Sequence, residues 1–451
     1  MSVLAAGPCR LMLVAVLAVA LSGCGHSDDR DREVPGASTP TRQASAATPT
    51  RAPVTATRGA ATATQESSGF KAASGSKASS GFNTAGTAGA GNTAAPGGIQ
   101  PSTPSPAPAR TVTVLGSGDV LIHPPLWQQA AADARAAGRS GYDFGPIYAG
   151  IAPVTLAADL AICELETPLA APQGPFSGWP NFNAPPQVLT ALKAAGYDSC
   201  STASNHTLDQ GYAGVKRTLD LLDAAGLRHT GSARSAAEAA RPLIMRTATG
   251  VRVAQLAFTF DFNGIAVPAG RPWLANPIRI PAILAAAHRA KQAGADIVVL
   301  SMHWGAEYDH DPTAEQADQA DRLLASPDID LILGAHSHVV QPFQKLHGKW
   351  VAYCMGNQVS RHAVPSEGSR EGVMARFTFT EVAPHRFVTT RAEAIPTWMQ
   401  ISPRLRLIEL RSAIADRQTP AGPLAVYRAA LGRITAHLDS LGGRRQGLVI
   451  A

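Results

Sequence analysis

Charged and aromatic side chains are scarce in this 451-residue chain, at 16% and 6%, and there are only five cysteines. The cysteines lie singly, which excludes a metal-binding thiolate cluster. Long apolar runs are missing apart from Leu11–Leu21, which excludes a multi-pass membrane protein. An excess of base is also missing where it would matter. The formal net charge is +6, but four of those charges fall within the first 110 residues. The remainder has no basic stripe, so no nucleic acid is expected as a partner. No internal repeat is present.

What is there begins with an address. Residues 1–23 read as a signal peptide: a short stretch with one Arg (Arg10), an apolar run too short to span a bilayer comfortably, and Leu21-Ser22-Gly23 before Cys24. This ending resembles a bacterial lipobox, in which the cysteine is acylated and becomes the new N-terminus. Cys24 is therefore the expected lipid anchor, and the expected location is the extracytoplasmic face of the cell membrane. Gly25–Arg110 is almost entirely Ala, Thr, Ser, Gly and Pro, with Phe70 and Phe82 its only aromatics. Such a segment cannot bury enough apolar surface to offset its chain entropy, so residues 24–110 read as a disordered tether. Of the remaining cysteines, Cys163 and Cys200 can bridge if their strands are neighbours. Small buried strand residues are the expectation we adopt.

The pattern changes at Thr111. Strands are expected at 111–115, 159–163, 198–202, 252–260, 296–302 and 330–333, interleaved with helices at 127–138, 186–196, 212–226, 280–294 and 313–326. Gly196 and Gly226 are the expected helix stops. Further strands at 350–355, 372–380 and 387–395 follow without helices. Alternation early and strands late predict an α/β domain with a mixed sheet or two stacked sheets. Residues 404–440 contain helix-like stretches and read as peripheral.

Metal-capable residues recur directly after the expected strands. Asp119 follows the first, Glu164 and Glu166 the second, and Asn205-His206 the third. His303 follows strand 296–302, and His336 and His338 follow 330–333. Ligands of α/β sheets bind at the carboxyl ends of strands, so five such placements point to one site. Imidazoles, carboxylates and an amide oxygen suit Zn, Mn or Fe rather than Ca. The set is large enough for two divalent ions sharing a carboxylate, an arrangement that clamps a phosphoryl group.

Gly118-Asp119-Val120, Glu164-Leu165-Glu166-Thr167-Pro168-Leu169, Ser204-Asn205-His206 through Gly211, His303-Trp304-Gly305 through Tyr308, and Gly334-Ala335-His336-Ser337-His338 through Gln341 resemble, in order, the motifs of the capsule-synthesis CapA family. Gly356-Asn357 matches a further one. That family is associated with poly-γ-glutamate capsule production and related to calcineurin-like metallophosphoesterases. The resemblance covers residues 111–396 and implies a four-layer αββα sandwich over residues 111–400, with a C-terminal helical extension over 401–451. It further implies that Asp119 and His338 ligate a first metal, that Glu166 bridges, that Asn205, His303 and His336 ligate a second, and that His206 acts as acid beside the leaving group. The implied partner is an anionic cell-surface polymer, or a phosphate or amide substrate.

Two positions depart from the related enzymes. A histidine usually stands two residues after the first Asp; here it is Leu121, leaving water or a nearby group such as His123 to complete the first site. Glu164 stands where the family often has Asn, and is expected to be merely solvated. Asp209 is expected to fix the loop around His206, and Trp304 and Tyr308 to wall the pocket. His310 is expected in a solvated turn and His347 in a hairpin. Three functions compete: a tethered metal-dependent hydrolase, a non-catalytic polymer-binding, export or anchoring factor, and a fold that has lost its metals.

Overall fold

The computed structural model describes residues 109–362 and 366–451. The signal segment, Cys24 and the tether as far as residue 108 lie outside the described residues. Among the described residues no helix is long and apolar enough to cross a membrane.

Two sheets organise the domain. In chain order the strands are β1 (Thr111–Val120), β2 (Leu160–Leu165), β3 (Ser199–Ser201), β4 (Arg228–Thr230), β5 (Leu243–Arg246), β6 (Arg252–Thr259), β7 (Ile297–His303), β8 (Leu331–Ala335), β9 (Phe343–Leu346), β10 (Lys349–Ala352), β11 (Asn357–Val359), β12 (Glu371–Ala383), β13 (Arg386–Gln400), β14 (Arg406–Glu409) and β15 (Leu448–Ile450). The first sheet runs β14-β13-β12-β1-β2-β3-β4, with β11 beside β1 and β15 beside β13; the second runs β5-β6-β7-β8-β10-β9. Strands separated by helices are parallel (β1 to β4; β6, β7 and β8), whereas the turn-linked β9 and β10, and β12, β13 and β14, are antiparallel; β10 lies parallel to β8 because β9 reverses the chain between them. This follows from chain length, since a parallel return needs a crossover and an antiparallel one only a turn.

Alternation along the strands sorts the core into three apolar layers. Val112, Val114, Leu160 and Ile162 of the first sheet pack with Val253, Ile297, Val299, Leu331 and Leu333 of the second. Their neighbours Leu115, Ala161 and Cys163 face the other way, toward helices Pro124–Ala136, Val188–Ala194 and Gly211–Ala224. Ala254, Leu256, Val298, Leu300 and Ile332 face helices Ile280–Gln292 and Ala314–Leu324. Helix, sheet, sheet, helix is the four-layer sandwich expected. Burying each large side chain contributes about 1.5–3 kcal/mol.

Local signals place the helices. Thr313 and Gln316 form a reciprocal cap, side chain to backbone in both directions at 3.1 and 2.9 Å. Gly196 and Gly226 follow their helices at φ 100° and 69°, where an L side chain would be strained.

Two differences from the sequence expectation stand out. Cys163 and Cys200 form a disulfide, because β2 and β3 are parallel neighbours that set the two residues directly opposite, Cα atoms 4.4 Å apart. Beside its two helices, the stretch 401–451 supplies β14 and β15 to the first sheet. Leu410, Tyr427, Ile434, Leu438 and Leu448 reach the layer between the sheets. It is part of the core rather than peripheral. Arg406 pairs bidentately with buried Asp133 at 2.8 and 2.9 Å.

Candidate metal centre

The site stands at the carboxyl ends of strands from both sheets. β1 carries one more residue than β2 between the pairs Gly116–Ile162 and Asp119–Glu164, a bulge that re-aims the chain just before Asp119. Asp119 accepts the backbone N–H of His336 at 3.2 and 3.3 Å, which joins the first sheet to the loop after β8. His336 and His338 sit at φ 98° and 57°, in the left-handed region. Such conformations cost on the order of 1–3 kcal/mol each and cluster at functional sites.

Asp119, Glu166 and His338 come together, one ligand-type atom of each lying within 4.8 Å of the others, all buried. Asn357 orients this group. Its side-chain N–H groups donate to the backbone oxygens of His338 (3.1 Å) and Ser369 (2.9 Å), so its oxygen faces His338 Nδ1 at 3.1 Å. Asp119 Oδ2 also lies 3.2 Å from that nitrogen. Both neighbours are acceptors, so Nδ1 carries the proton and Nε2 turns toward Glu166 Oε1, 3.8 Å away.

A second group lies beside it. Asn205 Oδ1 and His303 Nε2 are 2.9 Å apart, and the His303 and His336 rings are 4.8 Å apart. Glu164 belongs here. Read from sequence as solvated, it is 4% exposed, with Oε1 3.5 Å from His303 Nδ1, because β2 carries it into the interior. His206 Nδ1 is held by Asp209 Oδ2 at 2.8 Å, and Asp209 also accepts the Phe182 N–H at 2.7 Å, which fixes that loop.

Both groups meet a cleft of about 330 Å³ lined by His123, Trp179, Phe182, Asn205, His206, Asn263, Glu307, Tyr308, His338 and His362. Trp179 and Tyr308 are 77% and 52% exposed on it. Trp304 is not a wall residue: it is buried in the outer layer, with its indole N–H on the Tyr353 carbonyl at 2.8 Å. His310 is half-buried against His437 rather than solvated, and His347 stands in the β9–β10 hairpin, 2.8 Å from Asp321. His362 and Asn263 were invisible in sequence, since neither belongs to a strand-end motif.

Burial dominates the electrostatics. It pushes the carboxyls of Glu166 and Glu164 above the ordinary range. It also lowers His123 to about 4, lowers His362 to about 3, and drives His336 down, aided by neighbouring histidines. For His338 burial is outweighed by Glu166 and Asp119, which lift it to about 9. Both Glu166 oxygens, Glu164 Oε1, His303 Nδ1 and His336 Nδ1 are buried without a hydrogen-bond partner. Unpaired buried carboxylates are costly, and one kind of group would satisfy carboxylates and imidazole lone pairs together: divalent cations of the Zn, Mn or Fe type. The donor set fits them.

A model of the family described as bacterial capsule synthesis protein PGA_cap matches residues 113–362. The chain is similar to the PGA biosynthesis protein CapA of Bacillus subtilis, 33% identical over 177 residues, which covers 38% of this chain and 45% of that one. It is 31% identical over 182 residues to the capsule biosynthesis protein CapA of Bacillus anthracis, covering 40% and 44%. The matched part thus spans about half the length of these relatives. Among solved structures, the calcineurin-like phosphoesterase YfkN from Bacillus subtilis aligns at 14% identity and a TM-score of 0.38, covering 73% of this chain and 97% of that one.

Proposed function

Because the chain belongs to the bacterial capsule synthesis PGA_cap family, we propose that it takes part in making an envelope polymer of the poly-γ-glutamate type through a metal-dependent hydrolytic site. The observation that carries this is the buried Asp119–Glu166–His338 group, with both Glu166 oxygens unpartnered. These three residues would hold one divalent ion; Asn205, His303 and His336 would hold a second, with Glu166 shared between the two and Glu164 beside His303. Ions bound there would polarise a phosphoryl or acyl oxygen of the substrate. Asp209 accepts from His206 Nδ1 and so orients the ring; the doubly protonated imidazole would then give its Nε2 proton to the leaving group, with Asp209 facing the Nδ1–H that stays behind. Trp179 and Tyr308, exposed on the cleft, would offer aromatic surface to the substrate. Acylation of Cys24, supported by Leu21-Ser22-Gly23 before it, would hold the protein at the extracytoplasmic face of the membrane.

The test is hydrolysis of an aryl phosphodiester by the full chain with Mn²⁺, with and without chelator, beside His206→Ala. Turnover indifferent to both would overturn the hydrolytic reading. One observation favours a non-catalytic polymer-binding, export or anchoring role instead. Leu121, buried at 3% exposure, puts an apolar side chain where the related enzymes carry an imidazole. In cells, a His336→Ala protein that sustains surface polymer when deletion abolishes it would establish that second role.

A further inference from the structure

Leu121 leaves the Asp119–Glu166–His338 group one donor short of the four that zinc-type ions commonly take from their surroundings. The topology brings a substitute. β11 runs parallel to β1, with Asp119 opposite Asn357 and Val120 opposite Val359. The Leu121 N–H donates to the Val359 carbonyl at 2.8 Å. The chain leaving β11 therefore emerges beside Leu121 and, three residues on, presents His362 in the same cleft. The His362 ring lies between two others, 5.1 Å from His338 and 4.9 Å from His123.

Its two nitrogens are not equivalent. Nδ1 faces the Tyr308 hydroxyl at 3.5 Å. Nε2 lies 3.3 Å from the Asn357 side-chain nitrogen, but both N–H groups of that amide are committed to the His338 and Ser369 carbonyls. The Asn357 contact at His362 Nε2 is therefore shared with those two carbonyls, and the Nε2 lone pair lies on the side of Asn357 and His338, where a cation would compete for it. His123 stands farther off: its ring adjoins those of His362 and Phe182 rather than that of His338, and its Nδ1 lies 3.3 Å from the Arg361 N–H and 3.2 Å from the Leu121 carbonyl.

We propose that His362, through Nε2, is the imidazole that completes the cation site of Asp119, Glu166 and His338 in place of the one missing at Leu121. This rests on the metal reading above. The experiment titrates the metal-free full chain with Mn²⁺ and reads free ion by electron paramagnetic resonance. Wild type is expected to take up about two ions. In His362→Ala and His362→Gln one of them should weaken by at least about tenfold. Adding Leu121→His to His362→Ala should restore it, and His347→Ala, in the remote hairpin, should change nothing. Unaltered affinity in both His362 variants overturns the assignment. So does loss without rescue by Leu121→His. Wild type that binds no Mn²⁺ overturns the metal reading itself, so the two failures are distinguishable.

Discussion

Replacing Glu166 by Gln should stabilise the metal-free protein and destabilise the metal-loaded one by comparison. Glu166 is 1% exposed, neither carboxylate oxygen has a hydrogen-bond partner, and His338 Nε2 is 3.8 Å away. An unsatisfied buried group costs about 1–3 kcal/mol and a charged one more, so Glu166→Gln, of the same shape but without the charge, should gain on the order of 1–3 kcal/mol in chelator where the carboxyl would be ionised. For a folded unit of roughly 340 residues, at about 2.1 cal/mol/K per residue, the gain is a Tm rise of roughly 1.5–4 °C. The advantage should grow with pH. Burial, with Asp119 and Glu164 adding and His338 opposing, raises the Glu166 carboxyl above its unfolded value. The stability it contributes is complete below that unfolded value and is lost as pH rises through the folded one; the variant lacks this loss. A divalent ion at about 100 times its Kd adds roughly 2.7 kcal/mol to the wild type, and much less to a variant missing a ligand, so the order reverses. Melting curves of the full chain in EDTA and in Mn²⁺, from about pH 5 to 9, measure both arms. Glu166→Gln melting below wild type in EDTA, or the same order in both buffers, would refute the reasoning.

Asp209→Asn should lower aryl phosphodiester turnover by about 10²–10⁴-fold while Mn²⁺ stoichiometry stays at the wild-type value, because it frees His206 without touching a ligand. Gly118→Ala places a Cβ against the Gly356 carbonyl oxygen, backbone that cannot yield cheaply; a loss of about 3 kcal/mol or more in denaturant unfolding is expected. Arg406→Met strands the buried Asp133 carboxylate and should cost about 3–5 kcal/mol by the same assay. Removing residues 401–451 should abolish cooperative unfolding, since Leu410, Ile434 and Leu448 would leave the layer between the sheets.

The parts legible in sequence were those written locally. Alternation marked β1, and polar residues directly after strands marked Asp119, Glu166, Asn205, His303, His336 and His338, because parallel strands bring their carboxyl ends together whatever the loops do. What depended on register or distant packing was not legible. Cys163 and Cys200 bridge only because β2 and β3 pair without a shift, which neither strand encodes alone. Glu164 looks like a surface charge until the sheet buries it. Trp304 looked like a cleft wall because it follows His303, yet alternation sends it to the opposite face. β14 and β15, of four and three residues, are too short to show a period. His362 is placed by the parallel pairing of β11 with β1 across more than two hundred residues of chain, a relation no local pattern carries.

The apolar layer between the sheets is non-directional, so on its own it tolerates sliding of one sheet over the other. The polar contacts at their shared edge do not. Asp119 of one sheet holds the His336 amide of the other, and Asn205, after β3, meets His303 at the end of β7. A slip of one residue, about 3.3 Å along a strand, would undo both at once. The alignment of the two halves of the sandwich and the assembly of its chemical centre are therefore a single mechanical coordinate. A cation gripping both sides would act as the pin that keeps that coordinate at one value.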